Sequence, residues 1–381
     1  MEKLKKLWSM FAVFGVIILI IIVLMIVAGS GNPYLKYEEA LVSAAKKYYQ
    51  DNEGLLPTRE GSEVSVDASY LKDGEYLKTY KKECTKATVV AYKGESKVSY
   101  YADIDCGKKY STNYLTKKLL KNVETDGKTE GLYKIDDIKK KSNIVLGTDK
   151  YGYRLKDNPF LSGYIYRGSN PKNYLRINNK MYRIVQIDGD GDIVAMAEES
   201  RSSSFDSSYN KDYPEGKAGF NNKYHLSKVN TAVNKYIETN FPEKKSFTKY
   251  LVYKHICVGE RKPSSTYNDG LEECSEVTEK VYKGGVISTH QFLLTSLSND
   301  CSTTHDRSCA NYNYLQNKTQ WTSIREPGTS YGLYNIGYSG LRTQLAADYD
   351  EVYPLVFLSK RAIYSAGDGT ENNPYEIKWL A

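Results

Sequence analysis

Residues 174–197, YLRINNKMYRIVQIDGDGDIVAMA, decide how the larger part of this chain folds. Tyr174–Ile177, Met181–Ile187 and Ile193–Ala197 are short apolar or alternating runs rich in β-branched residues, the signature of strands. Asn178-Asn179-Lys180 and Asp188-Gly189-Asp190-Gly191-Asp192 separate them with residues that tolerate left-handed backbone and so form tight turns. Downstream, Leu226, Val229, Val233, Tyr236 and Ile237 recur at helical spacing over 226–240. Ser288 and Gln291 stand as a capping box before Phe292-Leu293-Leu294. Val352–Leu358 reads as a late strand and Gly367-Asp368-Gly369 as a closing turn. The order lacks a strand–helix–strand rhythm, so the expectation is a mixed α+β fold and not a parallel doubly wound sheet.

Upstream, Leu7–Ala28 is a run of 22 residues without a charge. As a helix it reaches about 33 Å, enough for a hydrocarbon core of about 30 Å. Lys3, Lys5 and Lys6 precede it and Trp8 suits the inner boundary. The expected localisation is therefore the cell membrane, single-pass through residues 7–28, N-terminus cytoplasmic and bulk extracellular. A cleaved signal peptide ending near Ala28-Gly29-Ser30 is the alternative, against which the length of the apolar run argues. The net charge of +7 is mild for this length. No segment shows a concentrated basic face, so nucleic acid is not an expected partner.

Asn32 and Pro33 open a helix that runs to about Gln50, with Tyr37, Leu41, Ala44, Ala45 and Tyr48 on one stripe. A strand at Glu63–Asp67 and a hairpin turning at Lys93–Ser96 follow. The hairpin sets Cys84 opposite Cys106. The other cysteines of the six pair by proximity, Cys257 with Cys274 and Cys301 with Cys309, among the fifteen pairings six cysteines allow. A disulfide across the hairpin should contribute about 3 kcal/mol by restricting the unfolded chain. The expected divisions are a stub and anchor at 1–31, a small α+β module at 32–112, a linker or extra strands at 113–156 (Ile144-Val145-Leu146 as a strand), and an extracellular domain at 157–381.

Two stretches resemble known families. Ala44-Ala45-Lys46-Lys47-Tyr48-Tyr49, Leu56-Pro57, Tyr70-Leu71, Gly74-Glu75-Tyr76-Leu77, Cys84 and Asp105-Cys106-Gly107 resemble the head of pilin-like, membrane-anchored surface proteins of Gram-positive bacteria, over about 37–106. The apolar run has neither the Gly-Phe junction nor the acid of type IV prepilins. Tyr164–Gly168, Asn173-Tyr174, Tyr182–Val185, Val286–Leu297, Tyr353–Val356, Gly367–Thr370 and Asn373-Pro374-Tyr375 resemble an uncharacterised surface domain of the same bacteria, over about 164–381. That resemblance implies a C-type-lectin-like fold. Together they imply an N-terminal transmembrane helix, a pilin-like α+β module with a disulfide hairpin, and a C-type-lectin-like mixed α+β domain.

Asp188, Asp190 and Asp192 have the spacing of a calcium loop with Glu199 at its twelfth position, but Ile193 holds the sixth, where such a loop needs glycine. They are weak metal candidates, and a solvated turn is the preferred reading. Cys301, His305 and Cys309 recur every fourth residue as zinc ligands would, but a Cys301–Cys309 disulfide removes two of them. His255 with Cys257 and Ser339 in Gly337-Tyr338-Ser339-Gly340 fall short of a nucleophile–base set. The expectation is a non-catalytic protein without cofactor. The 36 tyrosines point either to an aromatic binding surface or to codon bias in an AT-rich genome. Tyr312, Tyr314, Trp321, Tyr331 and Tyr334, in an apparent loop zone, are the candidate contacts for a cell-wall or host glycan, or a protein. The expected function is a single-pass membrane-anchored cell-surface protein for extracellular binding or adhesion. The alternative is a minor pilin or pseudopilin-like subunit of an envelope filament or secretion system.

Overall fold

The computed structural model describes residues 32–59, 62–94, 97–206, 222–242, 250–301 and 303–378. The chain divides into two compact units, one ending at Thr112 and one beginning at Asn113. In the first, helix α1 (Pro33–Asp51) starts where Asn32 Oδ1 accepts the Tyr34 N–H at 2.9 Å. Its buried stripe is Tyr37, Leu41, Ala44, Ala45, Tyr48 and Tyr49. This stripe packs on a three-stranded antiparallel sheet of β1 (Glu63–Asp67), β2 (Lys86–Lys93) and β3 (Val98–Asp105), joined by the short α2 (Ala68–Asp73). Lys86 pairs with Asp105 at the open end of the β2–β3 hairpin, and the Cys84–Cys106 disulfide closes it just beyond.

The second unit is built on a ten-stranded sheet. Residues 113–156 belong to this unit. They supply α3 (Leu115–Leu119), the edge strands β4 (Val123–Glu124) and β5 (Gly131–Lys134), and α4 (Ile135–Ile138). Ile144–Leu146 form no strand, and Val145 is fully in solvent. The centre of the sheet comprises β6 (Tyr164–Arg167), β7 (Tyr174–Ile177), β8 (Lys180–Ile187) and β9 (Ile193–Ala197). Asn178 and Asn179 turn β7 into β8 with φ of 52° and 60°, the mirror-image turn whose twist matches the flanking strands. Every residue of β9 is buried, which is why it reads as an unbroken apolar run.

The chain continues through β10 (Arg201–Ser204), α5 (Lys228–Asn240), β11 (Gly284–Gly285) and α6 (Thr289–Thr295), which opens with the Ser288/Gln291 capping box. Next come β12 (Gln320–Arg325), β13 (Gly332–Gly337) and β14 (Gly340–Leu345), which form a separate antiparallel sheet. β15 (Tyr349–Val352) pairs with β10. β16 (Leu355–Leu358) joins β9 and β11, and β17 (Tyr364–Ala366) with β18 (Tyr375–Ile377) completes the large sheet beside β7.

This corrects the expected fold class. The described residues are mostly β-sheet with few helices, eighteen strands in four sheets. The assignment to an α+β fold with a transmembrane helix, a pilin-like module and a C-type-lectin-like domain therefore does not stand. The strands that escaped notice, β12 to β14, carry buried Gln320, Thr322, Ser323 and Asn335, so they show no apolar alternation. The expected single-pass placement at the cell membrane is corrected as well. Among the described residues no helix is long and apolar enough to cross a membrane, and residues 7–28 lie outside them. The longest described helix, α1, carries exposed Glu39, Lys46 and Lys47 opposite its buried stripe.

Candidate functional site

The turn between β8 and β9 is tied to itself before anything else reaches it. Asp188 Oδ1 accepts the N–H groups of Asp190 and Asp192, each at 3.0 Å. Asp188 N donates to Asp192 O at 2.9 Å. Gly191 has φ of +84°, a left-handed conformation that favours glycine. At Gly189 a Cβ would come within 2.3 Å of Ser162 Oγ, so any side chain there would have to displace that hydroxyl. The result is that three carboxylates converge, with ligand oxygens within 4.8 Å of one another.

A lysine amine sits among them. Lys254 Nζ lies 2.6 Å from Asp192 Oδ2 and 2.9 Å from both Asp188 Oδ2 and Asp190 Oδ2. Its backbone exchanges both hydrogen bonds with Tyr282, at 2.9 Å each, which fixes where the side chain enters. The Lys254 side chain is 5% exposed, Asp188 is sealed, Asp192 is 12% exposed and Asp190 is 58% exposed. Lys360 adds its N–H to Asp192 Oδ1 at 2.8 Å. Burial pushes the Asp188 carboxyl up to about 6, against the pull of Lys254 and with the push of Asp192. Burial also opposes charge on Lys254, but Asp188, Asp192 and Asp190 outweigh it and hold the ammonium above the ordinary lysine range. Tyr153 is raised to about 12 by burial and then by Asp190.

The Asp188, Asp190 and Asp192 candidates for metal are therefore brought together, but around an internal cation. Ile193, at the position where a calcium loop turns, is instead the first residue of β9 and fully buried. A calcium ion would have to displace the ammonium and recruit further oxygens, since calcium takes 6–8 of them. We expect neither a chelator nor millimolar calcium to change the thermal unfolding midpoint. A calcium-dependent rise in that midpoint would show that the ion competes with Lys254.

A second buried ion pair ties the disulfide loops. Arg261 Nη1 donates to Glu273 Oε1 at 2.8 Å, Nε to Thr304 Oγ1 at 2.8 Å, and Nη2 to Tyr267 O. Thr289 Oγ1 donates to the same Glu273 oxygen at 2.6 Å. Cys257–Cys274 and Cys301–Cys309 are both formed, so Cys301 and Cys309 offer no zinc ligands, and Cys257 no free thiol. His305 is exposed, with Nδ1 3.2 Å from Leu341 O. His255 Nδ1 lies 2.7 Å from Thr278 O, and its ring packs on Tyr153. Ser339 sits in the two-residue turn between β13 and β14.

The five candidate aromatic contacts separate into interior and surface. Trp321 is 0% exposed, its Nε1 donates to Ser203 O at 2.9 Å, and its ring meets the face or edge of Phe205 at 5.6 Å. Tyr334 is equally buried and donates to Arg261 O at 2.9 Å. Tyr314 is buried against the Arg183 guanidinium, which also packs on the Tyr174 ring. Tyr312 and Tyr331 are exposed. In the same part of the chain Tyr338 and Tyr349 are exposed as well, and escaped the sequence reading.

Tyr331, Leu345 and Tyr349 surround one turn. Gly332, next to Tyr331, pairs with Leu345. Ala346 N donates to Tyr331 O at 2.8 Å, and Asp348 N to Leu345 O at 3.0 Å. Beside them Asn335 Nδ2 donates to Gln344 Oε1 at 2.6 Å and to Asp350 Oδ2, and Arg342 Nε donates to Asn335 Oδ1 at 3.2 Å. Exposed aromatic rings thus lie beside Arg342 and Gln344, which the buried Asn335 and Asp350 hold in place. A cavity under Ser288, His290 and Gln291 and another beside Lys140 and Arg261 each hold about 10 Å³, room for a single water.

Lys254, Arg261 and Glu273 were missed from sequence. Lys254 did leave a signal, a lone charge inside the apolar run Leu251–Val258. No protein family, curated protein or solved structure matches the chain.

Proposed function

We propose that this chain is a non-catalytic binding or adhesion protein that takes a glycan or protein ligand on the surface around Tyr331, Leu345 and Tyr349. The observation that carries the reading is the exposure of these three groups, 40%, 45% and 72%, on a turn whose backbone is hydrogen-bonded on both sides. Exposed rings on a tied backbone offer contact area, and the adjoining exposed Arg342 and half-buried Gln344 supply directional hydrogen bonds. Three disulfides support work in an oxidising compartment.

The test compares the wild-type chain with Tyr331→Ala/Tyr349→Ala on a glycan array and on isolated cell-wall material. The double variant should unfold within about 0.5 kcal/mol of wild type, as surface substitutions do, and should lose at least tenfold in retention. Wild-type retention that the double variant matches would remove this surface from the reading.

A further inference from the structure

No single stretch of the second unit is strongly basic, but folding brings three basic stretches together. Residues 107–123 and 352–367 contain no Asp or Glu. They meet along α3, where Leu115 N donates to Ala362 O at 2.8 Å, Tyr364 N to Asn113 O at 2.8 Å, and Thr116 Oγ1 to Lys360 O at 3.1 Å. Ile363 bridges Tyr114 and also accepts the N–H of Lys378 at 2.7 Å, which brings in the stretch after β18. The acid of that stretch, Glu376, is paired with Arg176 at 3.1 Å. Because α3 buries Leu115, Thr116 and Leu119, Lys117 and Lys118 fall on its outer side. Lys121, four residues from one and three from the other, is their neighbour. Lys117, Lys121 and Lys378 are exposed, and Lys118 and Arg361 half-buried. Like charges at helical spacing repel, and no acid interleaves them in these stretches. Lys360 is otherwise engaged, with Nζ donating to Asp190 O at 3.2 Å.

We infer that the surface formed by Lys117, Lys118, Lys121, Arg361 and Lys378 binds a flexible polyanion, a chain of phosphate or phosphodiester groups. Long cationic side chains spread over three segments suit charge distributed along a polymer, whose displaced counterions drive the contact. A single small anion is held instead by converging backbone N–H groups. The aromatic rings at this surface are occupied. Tyr114 is buried and has the Lys117 ammonium 5.0 Å from its ring centre. Tyr364 has that of Lys118 at 5.4 Å and meets Tyr375 edge-on at 6.4 Å. Neither offers a face on which a nucleic-acid base could stack, so the polymer is one recognised by its charge. This contact is separate from the surface around Tyr331 and Tyr349.

The test is the affinity of the full-length chain for labelled long-chain inorganic polyphosphate, read by fluorescence anisotropy. Binding should weaken roughly 50- to 100-fold from about 50 to about 200 mM salt, the dependence expected when four or five phosphates are neutralised on a single chain. Lys121→Glu/Lys378→Glu should lose about tenfold or more at the lower salt. Lys228→Glu/Lys235→Glu makes the same change in net charge at exposed positions of α5 and should stay within about twofold of wild type. Circular dichroism of both variants should match wild type. Three results overturn the proposal: no binding at the lower salt, equal losses in the two variants, or an affinity that salt leaves unchanged. Tighter binding to duplex DNA or to phosphatidylglycerol vesicles, at matched phosphate concentration, overturns the choice of a flexible polymer.

Discussion

Lys254→Met should unfold at a much lower denaturant concentration than wild type, with a loss of about 3–5 kcal/mol. The reason is asymmetric. Removing the ammonium leaves Asp188, fully sealed, and Asp192, nearly so, as uncompensated charges that the turn cannot expose without breaking the Asp188 hydrogen bonds to Asp190 and Asp192. Asp190→Asn is the control. Its carboxylate is largely solvated, so its loss should cost no more than about 1 kcal/mol. Urea melts of the three proteins decide the matter. Equal costs for Lys254→Met and Asp190→Asn would mean that the cluster is hydrated and that its burial contributes nothing.

Trp321→Ala should destabilise by about 3–5 kcal/mol, the range for truncating a large buried ring. The indole fills a site with no exposure, packs on Phe205 and satisfies Ser203 O. Its removal opens a cavity and leaves a partly buried carbonyl without its donor. A calorimetric midpoint within a degree or two of wild type, accompanied by weaker ligand retention, would return Trp321 to the surface and reverse this assignment.

These two residues mark where sequence reading succeeds and fails. Strands β7, β8 and β9 were legible because two backbone periodicities agree with their turns, and Asn178-Asn179 can hardly do anything but reverse the chain. The spacing of Asp188, Asp190 and Asp192 was read as a solvated turn, whereas Asp188 and Asp192 are buried. Their partner was not legible, because Lys254 lies 62 residues away and only tertiary structure brings it back. Trp321 was misplaced for a different reason. The stretch from Gln320 to Gly337 mixes glycine with Asn, Gln, Ser and Thr, a loop-like composition, yet it forms two strands whose polar groups are buried. Thr322 Oγ1 donates to Tyr334 O, Ser323 Oγ to Cys257 O, and Asn335 Nδ2 to Asp350. Polarity in this part of the chain signals internal hydrogen bonding, which composition cannot distinguish from exposure. The exposed tyrosines at Tyr338 and Tyr349 were overlooked because a list of aromatic residues does not say which ring faces outward.

Arg261 sits where one guanidinium reaches Glu273, beside Cys274, and Thr304, inside the Cys301–Cys309 loop. Neither crosslinked loop can swing away without stranding the same buried cation. Amide protons in both should therefore exchange with solvent water through one shared opening, at matched rates, even though each disulfide closes only its own loop.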